Sequence, residues 1–145
     1  MVRGGSIDPW SSEQSTDYDR MIEQFGLTPM DLGSIPNPGM LHRRGIVFAH
    51  RDMDVITDSI TTGDPFGVLT GLMPSGRMHL GHSMVIEQVR WFQEQGADVT
   101  VAVADLEALA TRGTSLSKGR ETALREYVLN YAALGLNSDK TSVYF

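Results

Sequence analysis

The sequence predicts an α/β fold, the first half of a doubly wound parallel sheet preceded by an N-terminal arm and a helix. Three observations lead there. Apolar runs at 66–70, 98–104 and 142–145 read as strands. Two stretches of helical periodicity, from about His82 to Gln95 and from about Ser117 to Leu134, lie between them. Glycines and prolines punctuate the alternation at Gly63, Pro65, Gly71, Pro74, Gly76 and Gly96. Strand, helix, strand, helix, strand calls for crossover connections, which are right-handed as a rule.

The chain of 145 residues has the length of one ordinary domain and is long enough to bury a core. Hydrophobic residues make up 41% and charged residues 21%, a globular composition. The absence of cysteine excludes a disulfide framework, a Cys-type zinc site and a thiol nucleophile. With a net charge of −6, bulk charge does not drive nucleic-acid binding, although a local basic patch remains compatible with it. Ten of the twelve basic residues are arginine, a usage that hints at a high-GC or salt-adapted source. No apolar run reaches spanning length and the N-terminus lacks signal-peptide features, so the expectation is no membrane and a cytoplasmic location.

In chain order, residues 1–14, with Trp10, read as a polar arm. Tyr18, Met21, Ile22 and Phe25 recur at helical spacing behind Asp17, and Gly26 supplies a stop. Pro29 to Gly39 reads as a connector, and 46–49 as an edge strand, which places a boundary between an arm and connector at 1–45 and a sheet domain at 46–145. Asp52 to Thr62 is expected to be helical, with Asp52 as its cap. His50-Arg51-Asp52 superficially matches a kinase catalytic loop, but Thr57 stands where that loop needs asparagine and no Asp-Phe-Gly follows.

The strand at 66–70 should be buried, and 98–104 should be covered on both faces. Val85, Ile86, Val89 and Phe92 should form one helix face, with Trp91 at the core edge. After a loop beyond Ala104, Ser117 should cap a helix that buries Leu124, Tyr127, Val128, Tyr131 and Leu134. The chain ends inside a strand, which predicts an N-terminal piece of something longer or an unusually short relative.

Ligands of open α/β sheets sit outside the carboxyl ends of the strands, where Gly71 to Gly81 lies. His79-Leu80-Gly81-His82 falls where the next helix begins, and a helix N-terminus favours phosphate. Two imidazoles three residues apart can both face it, Gly81 leaves room for close approach, and Ser75 and Gly76 suit a tight turn with exposed hydroxyl and amide. A zinc site has little support, since no acidic third ligand stands at the right spacing, and no protein-bound metal is expected.

The stretch from Thr70 through Pro74-Ser75-Gly76 to His79-Leu80-Gly81-His82 resembles the first signature of the class I aminoacyl-tRNA synthetases, and its Met-Pro-Ser-Gly loop resembles the tryptophan and tyrosine members. Phe48-Ala49-His50-Arg51-Asp52, Asp64-Pro65-Phe66, Ala104-Asp105-Leu106-Glu107, Tyr131-Ala132-Ala133-Leu134-Gly135-Leu136 and Val143-Tyr144-Phe145 are similar to the archaeal and eukaryotic tryptophanyl-tRNA synthetases. The resemblance covers roughly residues 15–145 and implies the N-terminal half of a Rossmann-like catalytic domain.

It further implies ATP binding by Ser75, Gly76, His79, Gly81 and His82, with His79 and His82 stabilising the adenylation transition state. Leu69, Gly71 and Glu107 would face the amino acid. The implied partners are tryptophan, ATP with Mg²⁺ as a substrate complex, tRNA(Trp), and a second subunit in a full-length homodimer. Leu69 stands where relatives carry a tyrosine and Ala102 where they carry a glutamine. Leucine favours tryptophan over tyrosine, whose hydroxyl would lose a partner. The second, lysine-bearing signature is missing: Leu116-Ser117-Lys118-Gly119 lies in the crossover. The alternatives left open are a truncated synthetase paralogue without ligase activity, a tyrosyl-tRNA synthetase and a small nucleotidyltransferase.

Overall fold

The computed structural model describes residues 17–145, so the arm expected at 1–14, with Trp10, lies outside the described residues. They pack as two compact units, one ending at Val55 and the other running from Ile56 to Phe145.

In the first unit, α1 (Tyr18–Phe25) forms where its periodicity places it. Asp17 caps it by accepting from Arg20 N at 3.0 Å, and Gly26 ends it at φ 59, a left-handed conformation natural to glycine. The connector holds short elements that its prolines and glycines concealed. β1 (Thr28–Pro29) pairs antiparallel with β2 (Ala49–His50), and α2 (Met40–Arg43) lies between them. The edge strand is therefore shifted and shorter than 46–49. Nor does Asp52 cap α3 (Met53–Thr62): it sits at φ 55, and His50 Nδ1 accepts from Met53 N at 3.1 Å in its place.

The second unit carries the sheet. β3 (Gly67–Leu72), β4 (Asp98–Val103) and β5 (Thr141–Tyr144) run parallel in the order β3-β4-β5, with Val68 opposite Val99, Leu72 opposite Val103 and Val101 opposite Val143. α4 (Leu80–Glu94) forms the first crossover. The second comprises α5 (Asp105–Arg112), then α6 (Leu116–Thr122), a π-helical stretch Ala123–Val128 and α7 (Leu129–Ala133). Ile86, Val89, Val99, Val101, Tyr127, Tyr131 and Leu136 form the core, and Val68, Leu72, Val128 and Val143 pack against it. Ile86 and Val101 are completely buried, and such side chains stabilise the fold by about 1.5–3 kcal/mol each.

That core occupies one face of the sheet, so two expectations need correction. The strand at 66–70 is not buried: Leu69 is 69% exposed. On β4, Val99, Val101 and Val103 are buried while Thr100 and Ala102 are only half-buried. Two successive right-handed crossovers in one direction put their helices on the same face, and half of a doubly wound sheet leaves the other face without its own helices. The apolar run of β4 has the composition for two covered faces, but these elements cover one.

Helix register differs too. The buried residues of α4 are Ile86, Val89 and Gln93 on one face and Trp91, only 4% exposed, on another. Ser115, rather than Ser117, caps α6, and Glu121 lies beyond the first turn, 3.5 Å from Arg125. The wider π turn brings Ala123 inward with Tyr127 and Tyr131 and leaves Leu124 54% exposed. Leu134, at 36%, is also on the surface. Finally, the loop expected after Ala104 is the helix α5. Among the described residues no helix is long and apolar enough to cross a membrane.

Candidate active site

β3 and β4 end side by side, with Leu72 opposite Val103 and Ala104 N donating to Leu72 O at 3.1 Å. The segment 73–79 and the start of α5 therefore emerge next to each other at the carboxyl edge of the sheet. Thr111 on α5 donates to Met73 Sδ at 3.6 Å and confirms the proximity.

His79 is the N-cap of α4. Its Nδ1 accepts from Gly81 N at 3.2 Å, while His82 Nδ1 accepts from His79 N at 3.2 Å. This is a capping box built from two imidazoles, whose ring centroids lie 4.0 Å apart. The chemistry follows from which nitrogen is occupied. A neutral imidazole that accepts at Nδ1 carries its proton on Nε2, so both rings keep an outward donor after capping the helix. Burial, and then the repulsion of a charged His79, lower the His82 pKa below the usual 6.5 and hold that ring neutral at pH 7. The first turn of α4 carries no acidic residue, so the positive end of the helix dipole is not neutralised.

Gly81 allows a close approach, but the group it admits here is His79. A Cβ at this position would lie 3.1 Å from His79 Cε1 and 3.2 Å from Nδ1. Ser75 and Gly76 are exposed in the turn, and a Cβ on Gly76 would meet nothing. Leu69 and Gly71 share the uncovered face of β3, where a Cβ on Gly71 would stand 3.5 Å from Ala102 O. Glu107 is exposed in the first turn of α5. The structure thus brings Ser75, Gly76, His79, Gly81 and His82 onto one strand–turn–helix unit, with Glu107 on the neighbouring helix and Leu69 and Gly71 along the strand.

Three residues at this edge were not legible as parts of a site. Tyr127 donates from its hydroxyl to Met73 O at 3.1 Å and meets the His82 ring edge-on, with centroids 5.7 Å apart. Burial raises its pKa, partly offset by the backbone N–H groups of Gly76 and Ser75 that face the hydroxyl. Asp105, 3% exposed, accepts from Leu106 N at 2.8 Å and pairs with Arg120 Nε at 2.9 Å. The Arg120 guanidinium lies 5.7 Å from the Phe145 ring centroid. Asp105 would have been marked as an acid opening a helix only had α5 been read as one, and nothing local marked Tyr127 or Arg120. Among the described residues no group of three or more His, Asp or Glu side chains could hold a metal ion.

The profile of the tRNA synthetases class I (W and Y) matches residues 61–145. The tryptophan–tRNA ligase of Methanosarcina acetivorans is 47% identical over 141 residues, 96% of this chain and 32% of its own length. That of Methanocaldococcus jannaschii is 39% identical over 140 residues, 95% of this chain and 38% of its own. The crystal structure of the Aeropyrum pernix tryptophanyl-tRNA synthetase superposes with a TM-score of 0.83 at 40% identity, over 96% of this chain and 40% of that one. The tryptophan-bound Encephalitozoon cuniculi enzyme follows at 0.79 and 28% identity, over 88% of this chain and 40% of that one. The chain spans about a third of the length of the curated relatives it matches.

Proposed function

The chain belongs to the class I tRNA synthetases of the tryptophan and tyrosine group, and on that premise we propose that it is the N-terminal half of the catalytic domain of a tryptophan–tRNA ligase. Residues 46–145 are assigned to that half and 1–45 to the preceding arm and connector. The observation that carries the reading is the pair of Nε2–H donors held at the N-terminus of α4 by the reciprocal cap. The tryptophan name of its archaeal relatives favours that amino acid over tyrosine. A paralogue without ligase activity has no observation in its favour.

In the proposed reaction a carboxylate oxygen of tryptophan attacks the α-phosphorus of ATP in line. The bond from that phosphorus to the β-bridging oxygen breaks, and pyrophosphate leaves with the Mg²⁺ that arrives as part of the substrate. No proton need move, so positioned donors supply the catalysis. His79 and His82 donate from Nε2 to phosphate oxygens as charge spreads over them. Ser75 and Gly76 offer a hydroxyl and a backbone amide to the nucleotide, and Glu107 faces the substrate ammonium. Leu69 and Gly71 give the indole an apolar, low-relief strand surface. The adenylate would then be attacked by a terminal ribose hydroxyl of tRNA(Trp), with AMP as leaving group. The second signature and the tRNA-reading helices belong to sequence outside this chain, and the proposed setting is a cytoplasmic homodimer.

ATP–pyrophosphate exchange across the twenty amino acids tests this, alongside calorimetric binding of MgATP to the 145-residue chain. Exchange with tryptophan alone is expected, and removal of either histidine donor by H79A or H82A should slow it about 10²–10³-fold. Exchange with tyrosine instead would overturn the substrate, and rates unchanged in both variants would overturn the histidine roles.

A further inference from the structure

Tyr127 reaches the nucleotide turn from the far side of the sheet's second crossover. It is 1% exposed and lies on the π-helical stretch Ala123–Val128, a widened turn of a kind that recurs at functional sites. One ring contact, to Tyr131 at 6.5 Å between centroids, ties it to the core, while its hydroxyl and its other ring contact reach the turn. The hydroxyl bonds Met73 O across 54 residues of sequence, and the ring edge meets His82. Met73 O also accepts from Ser75 N at 2.8 Å, which folds the turn, and Thr111 on α5 holds the Met73 side chain. Met73 is thus fixed from two helices of the second crossover, while Ser75, Gly76 and Arg77 that follow are exposed.

We propose that Tyr127 is a positioning residue for the nucleotide site: its hydroxyl fixes the backbone of the turn at Met73 and its ring sets the plane of the His82 imidazole. The proposal deepens the reading above and rests on it for the identity of the ligand. One buried side chain connects the two parts that must agree in geometry, the amides of the turn and the His82 donor. An imidazole held at Nδ1 alone can still tilt about that bond, which re-aims Nε2. A near-perpendicular aromatic ring packed against it removes that freedom. A site whose donors are fixed in advance loses less on binding than one that must order them.

The experiment uses the chain itself, first without nucleotide, so that positioning is decided independently of the ligand. In wild-type NMR spectra, Tyr127 ring protons should show NOEs to His82 ring protons, and their absence would overturn the ring contact. Tyr127→Phe keeps the ring and deletes the hydroxyl. Amide hydrogen exchange at Ser75 and Gly76 should then accelerate about tenfold while that of core strand amides such as Val101 stays unchanged. A uniform acceleration, or none, would reduce Tyr127 to a packing residue and overturn the proposal. Titration with MgATP follows, and Tyr127→Phe should weaken binding about fivefold relative to wild type. Wild-type binding with no loss in Tyr127→Phe would also overturn the proposal. If the wild-type chain binds no MgATP, the nucleotide reading fails, and the ligand-free exchange data still decide whether Tyr127 fixes the turn.

Discussion

Two helices begin at neighbouring strand ends in this protein, and they close their N-termini in opposite ways. After β3, α4 is capped by two imidazoles that accept at Nδ1 and leave their outer nitrogens available, and its first turn has no acid. After β4, α5 starts with a buried carboxylate already paired to Arg120, and Glu107 stands in the same turn. The first arrangement leaves the helix dipole unneutralised and suits an anion. The second has neutralised it and leaves a negative charge for a cation. The proposed substrates, a nucleoside triphosphate and an amino acid with its ammonium, would need those two environments a short distance apart. Adjacent parallel strands bring the two helix starts side by side, and contacts from the second crossover, Tyr127 on Met73 and Arg120 on Asp105, hold them.

The sharpest way to break this comparison is at Asp105. Asp105→Ala removes the partner of Arg120 and the acceptor of Leu106 N together. It should cost about 2 kcal/mol in urea unfolding, less than a fully buried pair would because Arg120 regains solvent. His79→Ala removes only a cap and should cost about 0.5–1 kcal/mol. Equal losses would mean that the two turns are built alike and that the α5 side is not locked. Asp105→Asn, which keeps an acceptor for Leu106 N, should fall between them.

A smaller effect sharpens the other side. In Gly81→Ala the new methyl meets the His79 ring at 3.1 Å, so the ring must give way by a few tenths of an ångström. Alanine gains helix propensity of up to about 1 kcal/mol over glycine, which offsets the weakened cap, so stability should change by less than about 1 kcal/mol. MgATP affinity should nevertheless fall about threefold, because the donor is re-aimed. Calorimetry showing unchanged affinity would mean that the His79 orientation does not matter to the ligand.

The α4 turn was legible in the sequence because its signals are local: a strand, a turn with Pro74, Ser75 and Gly76, then His79 and His82 three residues apart. The α5 turn was not. Ala104 gives no side-chain cap, Leu106 is 68% and Leu109 41% exposed, and Ala108 alone with Asp105 faces inward. Eight residues without an apolar stripe read as a loop. Tyr127 looked like any core tyrosine at helical spacing, because its significance lies in Met73, which the chain brings near only through the fold. The single uncovered face of the sheet was missed for a different reason. Periodicity reports which residues can be buried, whereas coverage depends on how many crossovers lie on each side.

The smallest expected effect is a pH dependence of the α4 cap. The unfolded chain protonates His82 near 6.5, while the folded chain does so only at lower pH because the pKa is depressed, first by burial and then by His79. Between those values the unfolded state binds more protons, so stability falls as the pH drops and is complete above about pH 6.5. The physical event is the loss of the Nδ1 acceptor for His79 N, since an imidazolium can only donate. His42, also depressed by burial, tilts the wild-type curve in the same direction. The informative quantity is therefore the difference in Tm between wild type and His82→Asn, which keeps an acceptor and does not titrate. From about pH 8 to pH 5 that difference should be flat and then decline below about 6.5. A difference that stays flat to pH 5 would show that His82 titrates alike in both states and that its ring is not held by the cap.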